Sequence, residues 1–242
     1  MNKSIYNLIA RDYDLKRKAP WKAFESFLNS ISNQFRGITI DLGCGNGRNF
    51  KILKNQDNKI VGIDNSIDLL EIASQTLKDN NEVSNKMTNN IDILLGDINQ
   101  LPIRPNSINT IFSIASLHHV KNKSIRKNTI RQLYDILMND GYLLLTVWRR
   151  WQKKYRYFFI IDKSKRILYP KYRKKQKMKD LKEFGDKLVP WTISSEKMTY
   201  YRFYHFFSKR EIKKLLKRFK MVELEVTGGP TNSDNFFILS QK

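Results

Sequence analysis

The chain has 242 residues, a length that suits a single α/β domain with one elaboration. Hydrophobic residues make up 40% of it, including 14 Phe, 11 Tyr and 4 Trp, which excludes an intrinsically disordered chain. The single cysteine, Cys44, excludes an internal disulfide and a cysteine-based zinc cluster. The N-terminal end is polar and no apolar run could span a bilayer, so we expect a cytoplasmic protein without membrane contact.

The formal net charge of +22 is concentrated in two segments. Residues 149–179 hold 14 lysines and arginines against one acid, and residues 209–220 hold seven against one. These segments carry +13 and +6, which leaves +3 for the remaining 199 residues. Because the charge is local, it predicts a face that meets a polyanion.

Residues 1–36 carry apolar residues at helical spacing and predict two helices joined by a polar connection. The connection includes Arg17 and ends at Pro20 and Trp21, with the proline near the first turn of the second helix. Taken alone, Trp21 is explained as well by a core anchor, and Arg17 by a solvated charge.

An apolar run over residues 37–40 leads into a glycine-rich turn and then into a helical pattern. The turn has the pattern D-x-G-x-G-x-G, and its glycines permit positive φ and the close approach of a ligand to bare backbone. It resembles motif I of the S-adenosylmethionine-dependent, Rossmann-like methyltransferases. The resemblance implies cofactor contacts from five of its residues: Asp41, Gly43, Cys44, Gly45 and Gly47. A tight turn without a ligand is the alternative for this stretch alone.

Acids follow the next two predicted strands. Residues 59–63 read as a strand that ends at Asp64 and Asn65, where a carboxylate can accept hydrogen bonds from two ribose hydroxyls. Residues 91–96 read as a strand that ends at Asp97 and Ile98, a pair placed to meet the adenine in this class of fold. The alternative for Asp97 is a turn residue. The Asn-rich residues 79–90 between these strands predict a mobile surface loop.

A fourth strand over residues 108–114 ends at Ile114, a further candidate cofactor contact, and is followed by His118 and His119. Sequence neighbours on one strand point to opposite faces, and no third clustered ligand is near, so we predict no metal site. We expect His118 to lie at the pocket rim.

The remaining segments complete an α/β pattern. Residues 129–138 predict a helix, residues 142–148 a fifth strand, and residues 222–226 and 235–239 a closing β-hairpin. We therefore predict a Rossmann-like class I methyltransferase fold, a doubly wound, mostly parallel seven-stranded sheet with an antiparallel C-terminal hairpin. We divide it into a helical cap (1–36), a cofactor-binding half (37–148), a basic aromatic insertion and substrate region (149–207) and a closing helix and hairpin (208–242).

The basic insertion interleaves its cations with aromatic residues. Cations neutralise phosphates and aromatic rings stack on unpaired bases, so an RNA-binding face is one interpretation. A solvated helical excursion whose aromatic rings pack on the domain is the other. We expect residues 171–179 to be disordered without a partner.

Several segments together resemble one family, the tRNA wobble-uridine carboxymethyl methyltransferases, which include a stand-alone fungal enzyme and the methyltransferase domain of the animal ALKB-homologue fusion. The matching segments are residues 6–10, 17–21, 41–47, 113–119, 188–191, 202–211 and 235–242. Phe203 stands where the family usually has Tyr, and residues 208–211 read Ser-Lys-Arg-Glu where Arg-Glu-Gly-Glu is typical. The basic insertion is variable in the family, so its charge cannot be carried over as a known binding site.

The resemblance implies methyl transfer from S-adenosylmethionine to the carboxylate of 5-carboxymethyluridine at the tRNA wobble position. The predicted catalytic residues are Arg17, His118, Arg202, Tyr204 and His205. The predicted substrate contacts are Trp21, Trp148, Arg149, Arg150, Lys153, Lys154 and Trp191. Family members often work with a small zinc-binding activator subunit, and Ile91–Leu95 is the candidate edge strand for it, although Asp92 could simply protect that edge. A quinone-type small-molecule methyltransferase and a non-catalytic RNA-binding protein are the alternatives.

Overall fold

A computed structural model describes residues 4–31, 35–53, 58–83 and 90–242. Its main sheet has seven strands in the order β3-β2-β1-β4-β5-β9-β8. The strands are β1 (Gly37–Leu42), β2 (Asn58–Asp64), β3 (Ile91–Leu95), β4 (Ile108–Ile114), β5 (Leu137–Trp148), β8 (Lys220–Thr227) and β9 (Asn235–Gln241). The first five pair in parallel, and β9 lies antiparallel between β5 and β8. The predicted fold and the edge position of the third strand are confirmed.

Helices cover both faces of this sheet, because the buried strands are apolar on both sides. The helices are α1 (Ile5–Lys16), α2 (Lys22–Ser30), α3 (Phe50–Leu53), α4 (Ile67–Val83), α5 (Lys123–Ile136), α6 (Arg156–Leu168), α7 (Pro170–Met178) and α8 (Lys209–Leu215). One core cluster joins α5 and α8 to Leu143, Leu145 and Val147 of β5. A second joins α2 and α4 to Leu144. Alternate residues of one strand thus enter opposite cores.

A separate two-stranded sheet, β6 (Asp186–Ile193) paired antiparallel with β7 (Met198–His205), stands beside the main sheet. Its inner side packs on α1 through Ile9, Trp191 and Ile193. Phe159 of α6 and Phe206 close a further small core next to it. The hairpin and α1 therefore form a second layer next to the parallel sheet.

Three local predictions were wrong. Residues 171–179 are not disordered: α7 begins with Pro170 in its first turn, and the Tyr172 hydroxyl donates to buried Asp162 at 2.8 Å. Helix α5 begins at Lys123, six residues before the predicted start. The prediction missed its first turns because a charged residue, Arg126, takes a buried position there, where the helical pattern requires an apolar residue. It ends before Met138, which belongs to β5.

The predicted surface loop over residues 79–90 was wrong for residues 79–83, which belong to α4. Residues 84–89 lie outside the described residues. No helix among the described ranges is long and apolar enough to cross a membrane. The four-part division of the chain stays a prediction.

Candidate active site

A cavity of about 520 Å³ lies at the carboxyl ends of β1, β2 and β4. Its floor includes the glycine turn and the ends of the parallel strands, and its opposite wall comes from α1 and the β6–β7 hairpin. In open α/β sheets this is the edge at which ligands bind. The cavity therefore lies between the carboxyl ends of the parallel strands and a wall built from α1 and the β6–β7 hairpin.

The glycine turn presents bare backbone at one point. Gly43, Gly45 and Gly47 all have positive φ, of +80°, +57° and +72°. A Cβ at Gly45 would meet the Leu69 and Tyr13 side chains at 3.8 and 4.0 Å, which is ordinary van der Waals contact, so this position is not crowded. A Cβ at Gly43 would overlap Ser116, and one at Gly47 would approach Phe50 to 2.6 Å. Only Gly43 and Gly45 line the cavity, while Gly47 serves packing.

Two acids belong to this turn. Asp64 lines the cavity beside Asn65, and its carboxylate accepts from the Gly45 and Ser66 backbone N–H groups at 2.9 Å each. Asp41 is fully buried, and neither of its oxygens has a partner among the described residues. Burial and the nearby Asp64 carboxylate raise the pKa of Asp41 to about 7. Asp41 therefore lies behind the turn and is not among the residues that line the cavity.

The rest of the predicted cofactor set divides between the cavity and the core. Ile98, Ile114 and the exposed Asp97 line the cavity, and Asp97 also accepts from the Asn99 backbone and side-chain nitrogens. Cys44 is instead buried behind the turn, and burial raises the pKa of its thiol. The Asp64 and Asp97 carboxylates thus line one cavity together with the apolar side chains of Ile98 and Ile114.

The opposite wall contains a hydrogen-bonded chain that the sequence did not predict. His119 Nδ1 lies 2.9 Å from the Phe203 carbonyl oxygen, and its Nε2 lies 2.8 Å from the Tyr6 hydroxyl. Burial lowers the pKa of His119 to about 4, so the ring is neutral. Because a carbonyl only accepts, Nδ1 carries the proton and Nε2 accepts from Tyr6. The Tyr6 oxygen is thereby left to accept from another group.

That group is Arg202, which is 7% exposed and lines the cavity. Its Nη1 donates to the Tyr6 hydroxyl at 3.5 Å, and its guanidinium lies 4.6 Å from the Trp191 ring centroid. The Nε atom is buried without a partner, and no acid within the described ranges forms an ion pair with this side chain. Burial opposes the charge, but the Tyr204 and Tyr6 oxygens outweigh it and the pKa of Arg202 lies above its usual value.

Arg17 and Trp21, predicted as neighbours in function, lie apart. Arg17 is exposed and its guanidinium lies 5.7 Å from the Trp191 ring, so it shares that indole with Arg202. Trp191 itself is fixed by its indole N–H, which donates to Asp12 at 2.7 Å. Trp21 begins α2 and packs on Phe237, within the core that α2 and α4 cover, so the core-anchor alternative is correct for it.

The expectation that His118 lies at the rim was wrong, and the strand alternation assumed for the histidine pair does not apply. His118 and His119 lie on a 3-10 turn, Leu117–His119, where neighbouring side chains do not alternate, and their ring centroids are 4.5 Å apart. His119 lines the cavity, whereas His118 is buried and stacks on Tyr204 at 4.8 Å. Trp148 packs on the same tyrosine at 4.4 Å. His118, Tyr204 and Trp148 thus lie behind the lining residues rather than among them.

His205 and Arg150 take part in a buried ionic group, here called the Glu211 cluster. It consists of Arg126, Arg150, Glu183, Asp186, His205 and Glu211. The His205 ring nitrogens lie 2.7 Å from Asp186 and 2.9 Å from Glu211. Arg150 donates to Glu211 at 2.9 Å and also to two backbone carbonyls. These contacts join β6, β7 and α8 and are absent from the lining of the cavity, so the predicted placement of both residues was wrong.

Glu183, His205 and Glu211 also bring three ligand-type atoms within 4.8 Å of one another. Arg126 donates to Glu183 at 2.7 Å, and Arg150 and His205 reach Glu211. The carboxylates are therefore already neutralised by protein cations.

The other predicted cations lie outside the cavity. Lys153 and Lys154 are exposed, and Lys153 lines a second, basic cleft together with Arg149. The residues that sequence reasoning missed are Tyr6 and His119. Tyr6 stands inside the segment that carried the family resemblance, but nothing local connected it to Arg202, 196 residues away.

Comparison with known proteins agrees with this geometry. Residues 40–145 match the family described as a methyltransferase domain. A Methanosarcina mazei protein titled a SAM-dependent methyltransferase superposes on 89% of this chain and 96% of its own, with a TM-score of 0.67 and 20% identity. Residues 40–145 therefore resemble a methyltransferase domain, and the chain shares the fold of the solved structure.

The same comparison reaches the curated proteins. A Schizosaccharomyces pombe protein named tRNA (carboxymethyluridine(34)-5-O)-methyltransferase is 26% identical over 98% of this chain and 94% of its own length. An Arabidopsis thaliana protein of the same name is 30% identical over 60% of this chain. The matched region makes up 31% of the length of that protein. The predicted fold, enzyme class and family resemblance are confirmed.

Proposed function

We propose that this protein transfers a methyl group from S-adenosylmethionine to the carboxylate of 5-carboxymethyluridine at the wobble position of tRNA. The observation that carries the proposal is Arg202, a buried guanidinium in the cavity wall whose charge no acid of the described chain neutralises. The names of the relatives from S. pombe and A. thaliana support the same substrate and do not favour the small-molecule and non-catalytic alternatives.

A carboxylate ligand accounts for the unpaired cation. Burying an unpaired charge is unfavourable, and a bound carboxylate would supply the missing partner through charge-assisted hydrogen bonds. The aromatic rings of Tyr6, Trp191 and Tyr204 surround the guanidinium at 6.0, 4.6 and 5.1 Å and hold it by cation–π contact without neutralising it. The cation is therefore held in place and still available to an anion.

The other end of the cavity fits the methyl donor. The Asp64 carboxylate suits two ribose hydroxyls, Asp97 and Ile98 suit an adenine ring, and the uncrowded backbone at Gly45 suits the amino-acid end of the cofactor. When bound, the cofactor supplies an electrophilic methyl group. Arg202 would hold the substrate carboxylate against it with both reacting groups in line and water excluded.

This chemistry needs no general base in the protein. A substrate carboxylate is already ionised at neutral pH. His119, with its pKa lowered to about 4, stays neutral, and both of its ring nitrogens are committed to Phe203 and Tyr6. Its role in this proposal is to orient the Tyr6 hydroxyl beside Arg202. Arg17, whose guanidinium lies over the Trp191 ring and outside the cavity lining, would contact the substrate outside the cavity.

Partner proteins belong to the proposal as well. The edge strand β3 exposes Leu94 and Leu95, at 42% and 49%, next to an ion pair between Lys59 and Asp92. An exposed apolar strand edge favours covering by another chain. We assign this edge to a small zinc-binding activator subunit.

The test uses purified protein, labelled S-adenosylmethionine and two tRNAs that differ only in carrying carboxymethyluridine or uridine at the wobble position. Nucleoside mass spectrometry is expected to find the methyl ester with the first tRNA and no product with the second. Methylation of the uridine tRNA, or full turnover by both Arg17→Ala and Arg202→Ala, would contradict the proposal.

A further inference from the structure

A second cleft, the basic cleft, lies where β5 ends and the loop before β9 begins. Its lining residues are Arg149, Trp151, Lys153, Arg156, Pro230, Thr231 and Ser233. Trp148, the last residue of β5, pairs with Asn235, the first residue of β9. The cleft is therefore at the carboxyl end of β5, the same edge of the sheet that carries the cavity.

The floor of the basic cleft is held by many hydrogen bonds. The carboxylate of buried Asp234 accepts from the Thr231 backbone N–H at 3.1 Å and from its hydroxyl at 2.7 Å. The Asp234 carbonyl accepts from the Arg149 backbone N–H at 2.9 Å and from the Gln152 amide at 2.8 Å. Arg149 Nε donates to the Ser233 carbonyl at 2.7 Å, which fixes its guanidinium at the cleft wall. The loop is thus built before any ligand arrives.

Positive charge in the basic cleft is unbalanced. Within the described part of the chain, no acid forms an ion pair with Arg149, Lys153 or Arg156. The single acid of residues 149–179, Asp162, is already paired with Arg166 at 2.7 Å, and Asp234 is committed to Thr231. Three cations beside the hydroxyls of Thr231 and Ser233 form a donor set for phosphate oxygens.

Exposed aromatic rings accompany these cations. Trp151 is 43% exposed, and the Arg156 guanidinium lies 5.0 Å from the ring of exposed Tyr157. An aromatic ring beside a cation that contacts the backbone is the arrangement by which proteins bind single-stranded nucleic acid, since every base has a face that stacks.

Strand order gives the distance between the two sites. The cavity lies at the ends of β2, β1 and β4, and the basic cleft lies at the ends of β5 and β9, the next two strands of the sheet. Neighbouring strands are about 4.8 Å apart, so β1 and β9 are separated by roughly 14 Å. A few nucleotides of a single strand cover that distance.

We infer that the basic cleft binds a backbone phosphate of the same RNA strand whose uridine enters the cavity, with Trp151 stacking on an unpaired base. This inference rests on the proposed function for the identity of the RNA. Arg149, Lys153 and Arg156 contact the phosphate, and the hydrogen-bonded loop of Thr231 and Ser233 forms the facing wall. The basic insertion thereby fixes where along the strand the reactive nucleotide stands.

The test compares two charge-reversal pairs in the full chain. The cleft variant carries Lys153→Glu and Arg156→Glu, and the control variant carries Lys171→Glu and Lys175→Glu on α7, the same change in net charge within the same insertion. Affinity for an unmodified anticodon stem–loop RNA is measured by fluorescence anisotropy over a series of KCl concentrations. Affinity for S-adenosylmethionine reports whether each variant is folded.

The cleft variant is expected to lose at least tenfold more RNA affinity than the control. Its slope of log K against log salt should fall by about one, because the contact with one phosphate is lost. Trp151→Ala should weaken binding several-fold, and Trp151→Phe should restore it. Equal losses in the two charge-reversal variants would overturn the inference, since only the overall charge would then matter.

Binding of the unmodified stem–loop does not require methyl transfer. A protein that binds this RNA through the cleft and forms no methyl ester would contradict the proposed function alone. A protein that forms the ester while the cleft variant binds as the control does would contradict the cleft alone.

Discussion

Two buried charged sites stand three residues apart on β7, and they are built in opposite ways. His205 enters the Glu211 cluster, where each acid has a side-chain partner within hydrogen-bond distance. Arg202 enters the cavity wall, where its neighbours are aromatic rings and a hydroxyl and no acid of the described chain pairs with it. The first site is electrostatically complete within the protein, and the second is complete only with an anion bound.

The difference separates residues that hold the fold from residues that hold a substrate. Both sites are buried, polar and close to the same hairpin, so burial alone does not distinguish them. Pairing does, because a saturated ionic group has no capacity left for a ligand. The predictions below test this distinction, beginning with the largest expected effect.

Removing Glu211 should destabilise the fold more than any other change considered. Glu211→Ala leaves the buried Arg150 without its carboxylate partner, and we expect a loss of about 3 kcal/mol in the free energy of unfolding. Urea denaturation measures it. Burial raises the pKa of Glu211, but His205, Arg150 and Arg126 outweigh burial and hold that pKa below its usual value.

Stability from this carboxylate is therefore present above its ordinary pKa and lost as the pH falls through the lowered one. The stability gap between wild type and the matched variant Glu211→Gln should narrow in acid. A gap below about 0.5 kcal/mol at neutral pH would show that the cluster does not hold the hairpin.

Arg202→Met should show the opposite pattern. The substitution keeps much of the side-chain volume and leaves no buried acid unpaired, so the free energy of unfolding should stay the same or rise. The value of kcat/KM for carboxymethyluridine tRNA should fall roughly 30-fold to 1,000-fold, which corresponds to a loss of about 2 to 4 kcal/mol of transition-state stabilisation. Arg202→Lys is the control that keeps the charge. A large loss of stability with intact kcat/KM would reverse the roles assigned to the two sites.

Asp41 extends the comparison to an unpaired acid. Because its folded-state pKa is raised to about 7, the stability penalty of charging it grows as the pH rises from about 4 to 7 and persists above. Asp41→Asn removes the charge, so the variant should exceed wild type in stability by on the order of 2 kcal/mol at pH 8. The two proteins should converge at pH 4.

Thermal unfolding at a series of pH values, without cofactor, tests this difference. The same variant should bind S-adenosylmethionine more weakly. A stability difference that does not change with pH would contradict the raised pKa.

Tyr6→Phe should give the smallest effect. It removes only the hydroxyl that joins His119 to Arg202, so we expect a loss of about 1 kcal/mol, roughly fivefold, in kcat/KM with unchanged stability. Steady-state kinetics on carboxymethyluridine tRNA measures it, with Tyr200→Phe, a half-buried hairpin position outside the cavity lining, as control. Equal kcat/KM in the two variants would remove Tyr6 from the site.

Local patterns predicted the scaffold, because a strand followed by a glycine turn and a helix is encoded within about 15 residues. The strand ends at Asp64 and Asp97 and the edge position of β3 followed from the same reasoning. The substrate wall could not be reached this way, since Tyr6, His119 and Arg202 come from three distant segments. His118 was misplaced because the alternation rule for strands was applied to a 3-10 turn.

Arginines show the same limit most clearly. Composition predicted that cations would serve the substrate, yet Arg150 and Arg202 have similar sequence contexts and opposite surroundings. The structure shows that the Arg150 guanidinium donates to the Glu211 carboxylate and to the Phe184 carbonyl, so its charge is paired inside the protein. A sequence counts charges, whereas a structure shows which of them are already paired.

Helix α1 also sets an order of events during folding. Its Tyr6 contacts His119 and Arg202, which lie 113 and 196 residues further along the chain. During synthesis, α1 is made before His119 and Arg202. It can pack on the β6–β7 hairpin only after most of the chain has been translated. Contacts between distant segments close late because they carry the largest loop entropy. We therefore expect the cavity wall formed by α1 and the β6–β7 hairpin to assemble after residues 37–148 have folded.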